Sequence, residues 1–148
     1  MTELFENEEK VIVFQLSDEE YAIPVSKVRS IEKLQHITRV PRTANFVKGV
    51  VNLRGLVTPI IDLRTRLNIE EVEYNESTRV IIVSHRDYEV GLIVDAANDV
   101  IDINLSAVEP PPDVVGVVEV EYIDGVVKLD KRLLIILNLD KALKYDKK

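Results

Sequence analysis

Phe46-Val47-Lys48-Gly49-Val50-Val51-Asn52-Leu53-Arg54-Gly55-Leu56-Val57-Thr58-Pro59-Ile60-Ile61-Asp62-Leu63-Arg64 decides the fold class of this chain. Two runs rich in β-branched apolar residues flank an Asn-Leu-Arg-Gly corner, the pattern of a hairpin that leads into a helix. Gly55 supplies the positive φ that such a corner often needs. Pro59, lacking an N–H, argues against a central strand position, and Asp62 stands where an N-cap belongs before Leu63-Arg64-Thr65-Arg66-Leu67. The stretch holds no nucleophile and no metal-ligand set.

Outward from it, the chain repeats itself. Val11 to Phe14 and Val80 to Val83 are both apolar β runs, and at the same offset of 69 Asp18 meets Asp87, Val25 meets Val94, Ile31 meets Val100 and Pro41 meets Pro110. Near the ends the offset grows to 76, where Ile60-Ile61-Asp62-Leu63 matches Ile136-Leu137-Asn138-Leu139, so the second half carries extra loop. Coincidental hairpin spacing remains the alternative to duplication. The pattern predicts strands near about 9–17, 20–24, 29–35, 46–53 and 56–61, and again near about 79–85, 88–94, 99–103, 117–123 and 132–137, with short helices at about 62–67 and 138–145. The chain thus reads as all-β, mainly strand with short helices, in pseudo-repeat halves of about 9–70 and about 76–145, with strand exchange between them left open. Five short strands per half favour two small barrels over one open sheet, because closure leaves no free edge. Long amphipathic helices are missing, which excludes a Rossmann fold or a helical bundle.

Composition excludes several functions. With 148 residues, 46% hydrophobic and 30% charged, the chain can bury a core, and no apolar run approaches the roughly 20 residues of a spanning helix. Its acidic first residues lack the basic start and apolar stretch of a signal peptide, so the sequence reads as cytoplasmic. Zero cysteines exclude disulfides and thiolate zinc sites. A net charge of −7 disfavours a phosphate-backbone ligand. Lys27, Arg29, Lys33, Arg39, Arg42, Lys48, Arg54, Arg64 and Arg66 nonetheless concentrate in the first half, either as a locally basic face or as scattered solvated charge.

Candidate chemistry is thin. His36 and His85 have no ligand spacing and read as exposed loop side chains, so no metal site and no cofactor is expected. Asp62, Asp95, Asp99 and Asp102 suit turn and cap roles better than acid–base pairing; a deep cavity lined by Asp62, His36 or Tyr74 would favour an enzyme. Isolated glycines form neither a dinucleotide nor a P-loop pattern. Val25, Val28 and Ile31, spaced i, i+3, i+6, form an apolar stripe that is either core or a binding surface. The Pro110-Pro111-Pro112 run reads as a stiff connection, with a polyproline ligand as the alternative.

The Gly-Val-x-Asn-Leu-Arg-Gly-x-x-x-Pro-x-x-Asp-Leu-Arg pattern, with the Pro41 to Phe46 approach and Gly91-Leu92-Ile93-Val94-Asp95, resembles the CheW family of bacterial chemotaxis coupling proteins, from about Val11 to about Leu143. The resemblance implies two SH3-like five-stranded β-barrels packed together. It implies a non-enzymatic adaptor, monomeric when isolated, that couples chemoreceptors to the histidine kinase CheA and reaches the receptor array through its partners, with no direct membrane insertion. A CheW-like regulatory domain serving another two-component kinase is the alternative. Receptor tips would enter a groove involving Ile12, Val28, Ile31, Gly49, Arg54, Gly91 and Val100. The kinase's regulatory domain would dock on Val40, Pro41, Leu56, Val57 and Leu63, apolar positions that could equally be core. A second kinase or array face would lie around Tyr122, Ile123 and Gly125. Arg54 either meets a partner or orders its corner by bonding nearby carbonyls or Asp62. Some members carry a glutamate between the positions matching Arg29 and Ile31; here Ser30 stands there, which removes any contact through that carboxylate.

Overall fold

The computed structural model describes residues 8–112 and 118–144, apart from the side chain of Asn98. Ten strands form: β1 (Glu8–Leu16), β2 (Glu19–Pro24), β3 (Val28–Lys33), β4 (Val47–Leu53), β5 (Leu56–Asp62), β6 (Arg79–His85), β7 (Tyr88–Val94), β8 (Ala96–Asn104), β9 (Ile123–Leu129) and β10 (Arg132–Leu137). Two short helices, α1 (Leu63–Arg66) and α2 (Leu139–Leu143), follow β5 and β10.

Two five-stranded sheets result, ordered β8-β1-β2-β10-β9 and β3-β6-β7-β5-β4. Advancing each strand of the first order by one repeat gives the second, so the sheets are related by a pseudo-twofold. Each takes its β-hairpins from both halves of the chain: β1 and β2 join the strands of the second half, and β6 and β7 join those of the first. Register follows the same relation: Val11 pairs with Ile101 where Val80 pairs with Glu32, and Ala22 pairs with Ile136 where Gly91 pairs with Ile60. Each sheet curls closed through a bridge from the segment before its fourth strand, Thr38 to Val50 in one and Glu109 to Val126 in the other.

Side-chain alternation along β1 and β6 explains why these runs are continuously apolar. Val11 and Val13 point into one barrel, Val80 and Ile82 into the other, while Ile12, Phe14, Ile81 and Val83 enter a third, larger core shared by the two sheets. Strands buried on both faces cannot alternate polar and apolar residues. The shared core also takes Leu63, Leu67, Ala142 and Leu143 from the helices, so it joins the two sheets into a single packed interior.

Pro59 lies in β5, which is an inner strand of its sheet, against the expectation for proline. The parallel contact with β7 covers only Ile60 to Asp62, so at Pro59 β5 has β4 alone beside it. The strand expected near 117–123 is also displaced. Val120–Tyr122 is a 3-10 turn that sends Tyr122 into the core, and the strand starts at Ile123. The alternation of Val118-Glu119-Val120-Glu121 imitates a strand, whereas the offset of 76 from β4 places it correctly; position 117 falls outside the described residues.

Candidate interaction surfaces

Asp62 is the buried N-cap of α1: its carboxylate accepts from the Thr65 amide at 3.3 Å and from the Tyr74 hydroxyl at 2.7 Å. The related position is Asn138, which caps α2 by accepting from the Lys141 amide at 2.9 Å. A surface pocket does bring Asp62, Tyr74, Arg64 and Asp95 together. Every one of these groups is committed. Arg64 grips Asp95 through two bonds of 2.8 and 2.6 Å, and Asp95 also accepts from the Ser17 amide at 2.7 Å. Burial, aided by the bond to Asp62, raises the Tyr74 hydroxyl well above the ordinary phenol range. These four groups therefore form a structural network; Glu73 is a further carboxylate on the pocket wall, and His36 is not among the lining residues.

The other carboxylates considered for acid–base work are also paired: Asp102 with Lys10 at 2.9 Å and Asp99 with Arg132 at 3.6 Å. His36 is exposed, whereas His85 corrects its expectation. It ends β6, is buried, stands 3.6 Å from Asp140 and meets Tyr88 edge to face. Burial lowers its pKa, and the Asp140 charge works against that. Its place at the end of an apolar strand, rather than its neighbours in the turn, was the available signal.

The apolar stripe divides. Val25 and Val28 pack against the shared core, while Ile31 keeps 41% of its surface exposed. Ile31 lies opposite Ile81 on β6, and its repeat mate Val100, 51% exposed, lies opposite Ile12 on β1. Directly opposed residues of an antiparallel pair share a face. Since Ile12 and Ile81 belong to the shared core, Ile31 and Val100 face the seam between the sheets from its two sides, with Ile12 and Ile81 as its buried floor. Gly49 and Gly91 do not face this seam; they serve packing within the barrel that holds Ile60, Val80 and Ile82. A Cβ on Gly49, whose φ is +145°, would overlap the Thr38 carbonyl that closes the barrel, and one on buried Gly91 would press on Ile60 and Val80.

The hairpin of β4 and β5 turns through Arg54 and Gly55, both at positive φ, the geometry of a type I′ turn. Asn52 orders the corner by accepting from the Gly55 amide at 3.0 Å. Arg54 does not: its side chain is 85% exposed, its one ion pair among the described residues is to Glu32 at 4.0 Å, and Asp62 is held by Tyr74 and Thr65. Beyond the turn Leu56 and Val57 stand 62% and 67% exposed, and Val40 and Pro41 are exposed as well. Leu63 is fully buried and belongs to the core, so it presents nothing to a partner.

Tyr122, Ile123 and Gly125 correct the second expected face, because all three are buried. Tyr122 packs beneath Arg66, which donates to its hydroxyl at 3.1 Å, and Gly125 lets β9 approach Glu109 as Gly49 lets β4 approach Thr38. Besides Val100, the exposed large apolar side chains in that half include Leu105, Val120 and Leu133. In the sequence Arg66 stands only as one of the cations of the first half, with nothing to set it apart from a helical surface charge. It bonds the carbonyls of Lys141, Ala142 and Lys144 at the end of α2 and lies over Phe46 and Tyr122. No helix among the described residues is long and apolar enough to cross a membrane.

Comparison with known proteins gives a concordant picture. A family model described as a CheW-like domain matches residues 10–147. The chemotaxis protein CheW of Bacillus subtilis is 48% identical over 143 residues, which is 97% of this chain and 92% of that protein. The chemotaxis protein CheW of Thermotoga maritima is 32% identical, over 90% of this chain and 87% of its own length. The crystal structure of the scaffolding protein TtCheW from Thermoanaerobacter tengcongensis superposes with a TM-score of 0.86 at 35% identity, covering 95% of this chain and 90% of that one.

Proposed function

The chain belongs to the CheW-like family, and from that premise we propose that it is a chemotaxis adaptor, without turnover of its own, which couples the cytoplasmic tips of chemoreceptors to the regulatory domain of the histidine kinase CheA. The observation that carries this reading is the seam between the sheets. Ile31 and Val100, related by the repeat and set on different sheets, leave apolar surface exposed on either side of a buried floor, which suits the apolar face of a receptor helix. The tip of the β4–β5 hairpin, with Leu56 and Val57, is a separate apolar surface and takes the kinase. Acting between two partners, the protein is a cytoplasmic monomer that is recruited to the array by what it binds.

Isothermal titrations with the CheA regulatory domain and with a receptor-tip fragment, both from the same source, test it. Leu56→Asp is expected to weaken the kinase titration and spare the receptor, and Ile31→Asp the reverse, with both variants folded by circular dichroism. Absence of binding to either partner at micromolar concentrations would overturn the adaptor reading. Binding to both with the two substitutions exchanged in effect would keep the adaptor and overturn the assignment of faces.

A further inference from the structure

Between Glu32 and Asp62 the chain carries no carboxylate, although 26 of its 148 residues are acidic and a segment of this length would hold about five at that frequency. It does carry Lys33, Arg39, Arg42, Lys48 and Arg54. This stretch is therefore +5 in a chain of net charge −7, and the remainder is −12. The segment related to it by the repeat, 102–137, has seven carboxylates and three cations. One backbone shape thus occurs at the two ends of the pseudo-twofold with opposite charge.

The fold gathers these cations. The bridge from Thr38 to Val50 lays Arg39 and Val40 along the outer edge of β4, and β4 pairs with β5, so the loop and the hairpin form one continuous strip. Arg39 and Arg42 are exposed, and among the described residues neither they nor Lys33 makes an ion pair. Lys48 is held by Glu71 at 3.2 Å, and Arg54 has only its long contact to Glu32. Val40, Pro41, Leu56 and Val57 supply exposed apolar surface within the strip.

We propose that this strip is an electropositive docking face with exposed apolar side chains at both ends, and that its occupant is a protein surface presenting carboxylates beside apolar residues. The inference rests on the adaptor reading and specifies the chemistry that the kinase's regulatory domain brings to this face. Unpaired, exposed cations at the rim of a contact act chiefly on encounter, raising the association rate at low salt and losing that effect as salt shortens the screening length.

Stopped-flow association of the full chain with the CheA regulatory domain, across about 50 to 500 mM salt, tests the proposal. The wild-type association rate is expected to fall about tenfold over that range. Arg39→Glu with Arg42→Glu is expected to be about tenfold slower than wild type at low salt and to converge with it at high salt, with dissociation little changed. Lys128→Glu with Lys131→Glu, on the opposite hairpin, makes the same change in net charge and is expected to behave as wild type. A salt-independent rate, or equal slowing by Lys128→Glu with Lys131→Glu, would overturn the electropositive face while leaving the adaptor reading intact. Failure of the regulatory domain to bind at any salt would overturn the adaptor reading and this inference with it.

Discussion

Arg66 is the position at which one substitution reaches furthest. It leaves α1 in the first half of the chain and donates to the carbonyls of Ala142 at 2.5 Å, Lys144 at 2.6 Å and Lys141 at 3.1 Å, besides the Tyr122 hydroxyl. The last carbonyls of a helix have no partner within it, so a cation there satisfies groups that otherwise depend on water. Its guanidinium carbon also lies 4.8 Å from the Phe46 ring centre and 5.1 Å from that of Tyr122. A charged hydrogen bond contributes about 1.5–3 kcal/mol and a cation–π contact about 0.5–2 kcal/mol. Because part of the site is solvated and its carbonyls can turn to water, we expect Arg66→Ala to cost about 3 kcal/mol in total. For a chain of this size that lowers Tm by about 6–12 °C. Arg66→Lys, which keeps charge but not the fork, should fall between. Thermal melts followed by circular dichroism give the size of the effect, and amide exchange gives its location, with protection lost first across Leu139–Lys144. An Arg66→Ala loss below about 1 kcal/mol, or uniform loss of protection without emphasis on α2, would refute the reasoning.

Tyr21→Phe is expected to leave stability unchanged or raise it by up to about 1 kcal/mol in urea melts, since the buried Tyr21 hydroxyl has no hydrogen-bond partner among the described residues; a loss above about 1 kcal/mol would mean that the hydroxyl is satisfied. For His85, whose folded pKa lies below its ordinary 6.5, the unfolded chain binds the proton more readily, so stability should fall as pH drops through 6.5 towards the folded value. His85→Asn should therefore show a shallower decline in Tm between about pH 7.5 and 5.5 than wild type, and parallel curves would refute the assignment. Arg54→Ala should change Tm by less than about 2 °C, because an exposed pair at 4.0 Å adds little; a large drop would show that the side chain orders its corner after all. Gly49→Ala should destabilise by at least about 2 kcal/mol in the same melts, its Cβ colliding with the Thr38 carbonyl, and a neutral result would show that the bridge to Val50 yields freely.

Local chemistry made the fold legible. The Asp62 cap, the Arg54-Gly55 corner and the two repeat offsets are short-range signals, and the offsets of 69 and 76 reappear as identical register in both sheets. The partnership of β1 and β2 with β8 to β10 was not legible, because backbone pairing between distant strands leaves no mark on either sequence beyond apolarity. Among the expected site residues, Ile31, Val100, Leu56 and Val57 lie on hairpins and edge strands and are exposed, as a binding role requires. Besides Gly125, those that failed are Leu63, Tyr122 and Ile123, apolar residues beside turns, and a turn can send such a side chain inward or outward with the same composition. Arg66 shows the converse: its sequence context is that of a surface cation, and only the folded chain brings the end of α2 to it.

On the adaptor reading, the shared core also bears on how a bridge of this build can work. A ligand shifts an equilibrium between two states only as far as it binds them unequally. One route to such inequality is for two barrels to slide past each other, but here, among the described residues, 23 buried side chains drawn from both sheets, both helices and the loops between them form a single cluster. Sliding would open that cluster, and close-packed interiors resist such deformation. The receptor seam draws one wall from β3 and the other from β8, which belong to different sheets, so a helix lodged in it is read by both at once. The kinase hairpin belongs to the β3 sheet, and Glu32, next to Ile31 on the seam's edge strand, is also the residue nearest in charge to Arg54 on the hairpin tip. Seam and hairpin therefore meet across one closed barrel wall. If receptor and kinase occupy these two faces, they are held at a fixed separation by a body too stiff to absorb their rearrangements, and discrimination between their states falls to how well each state fits that spacing.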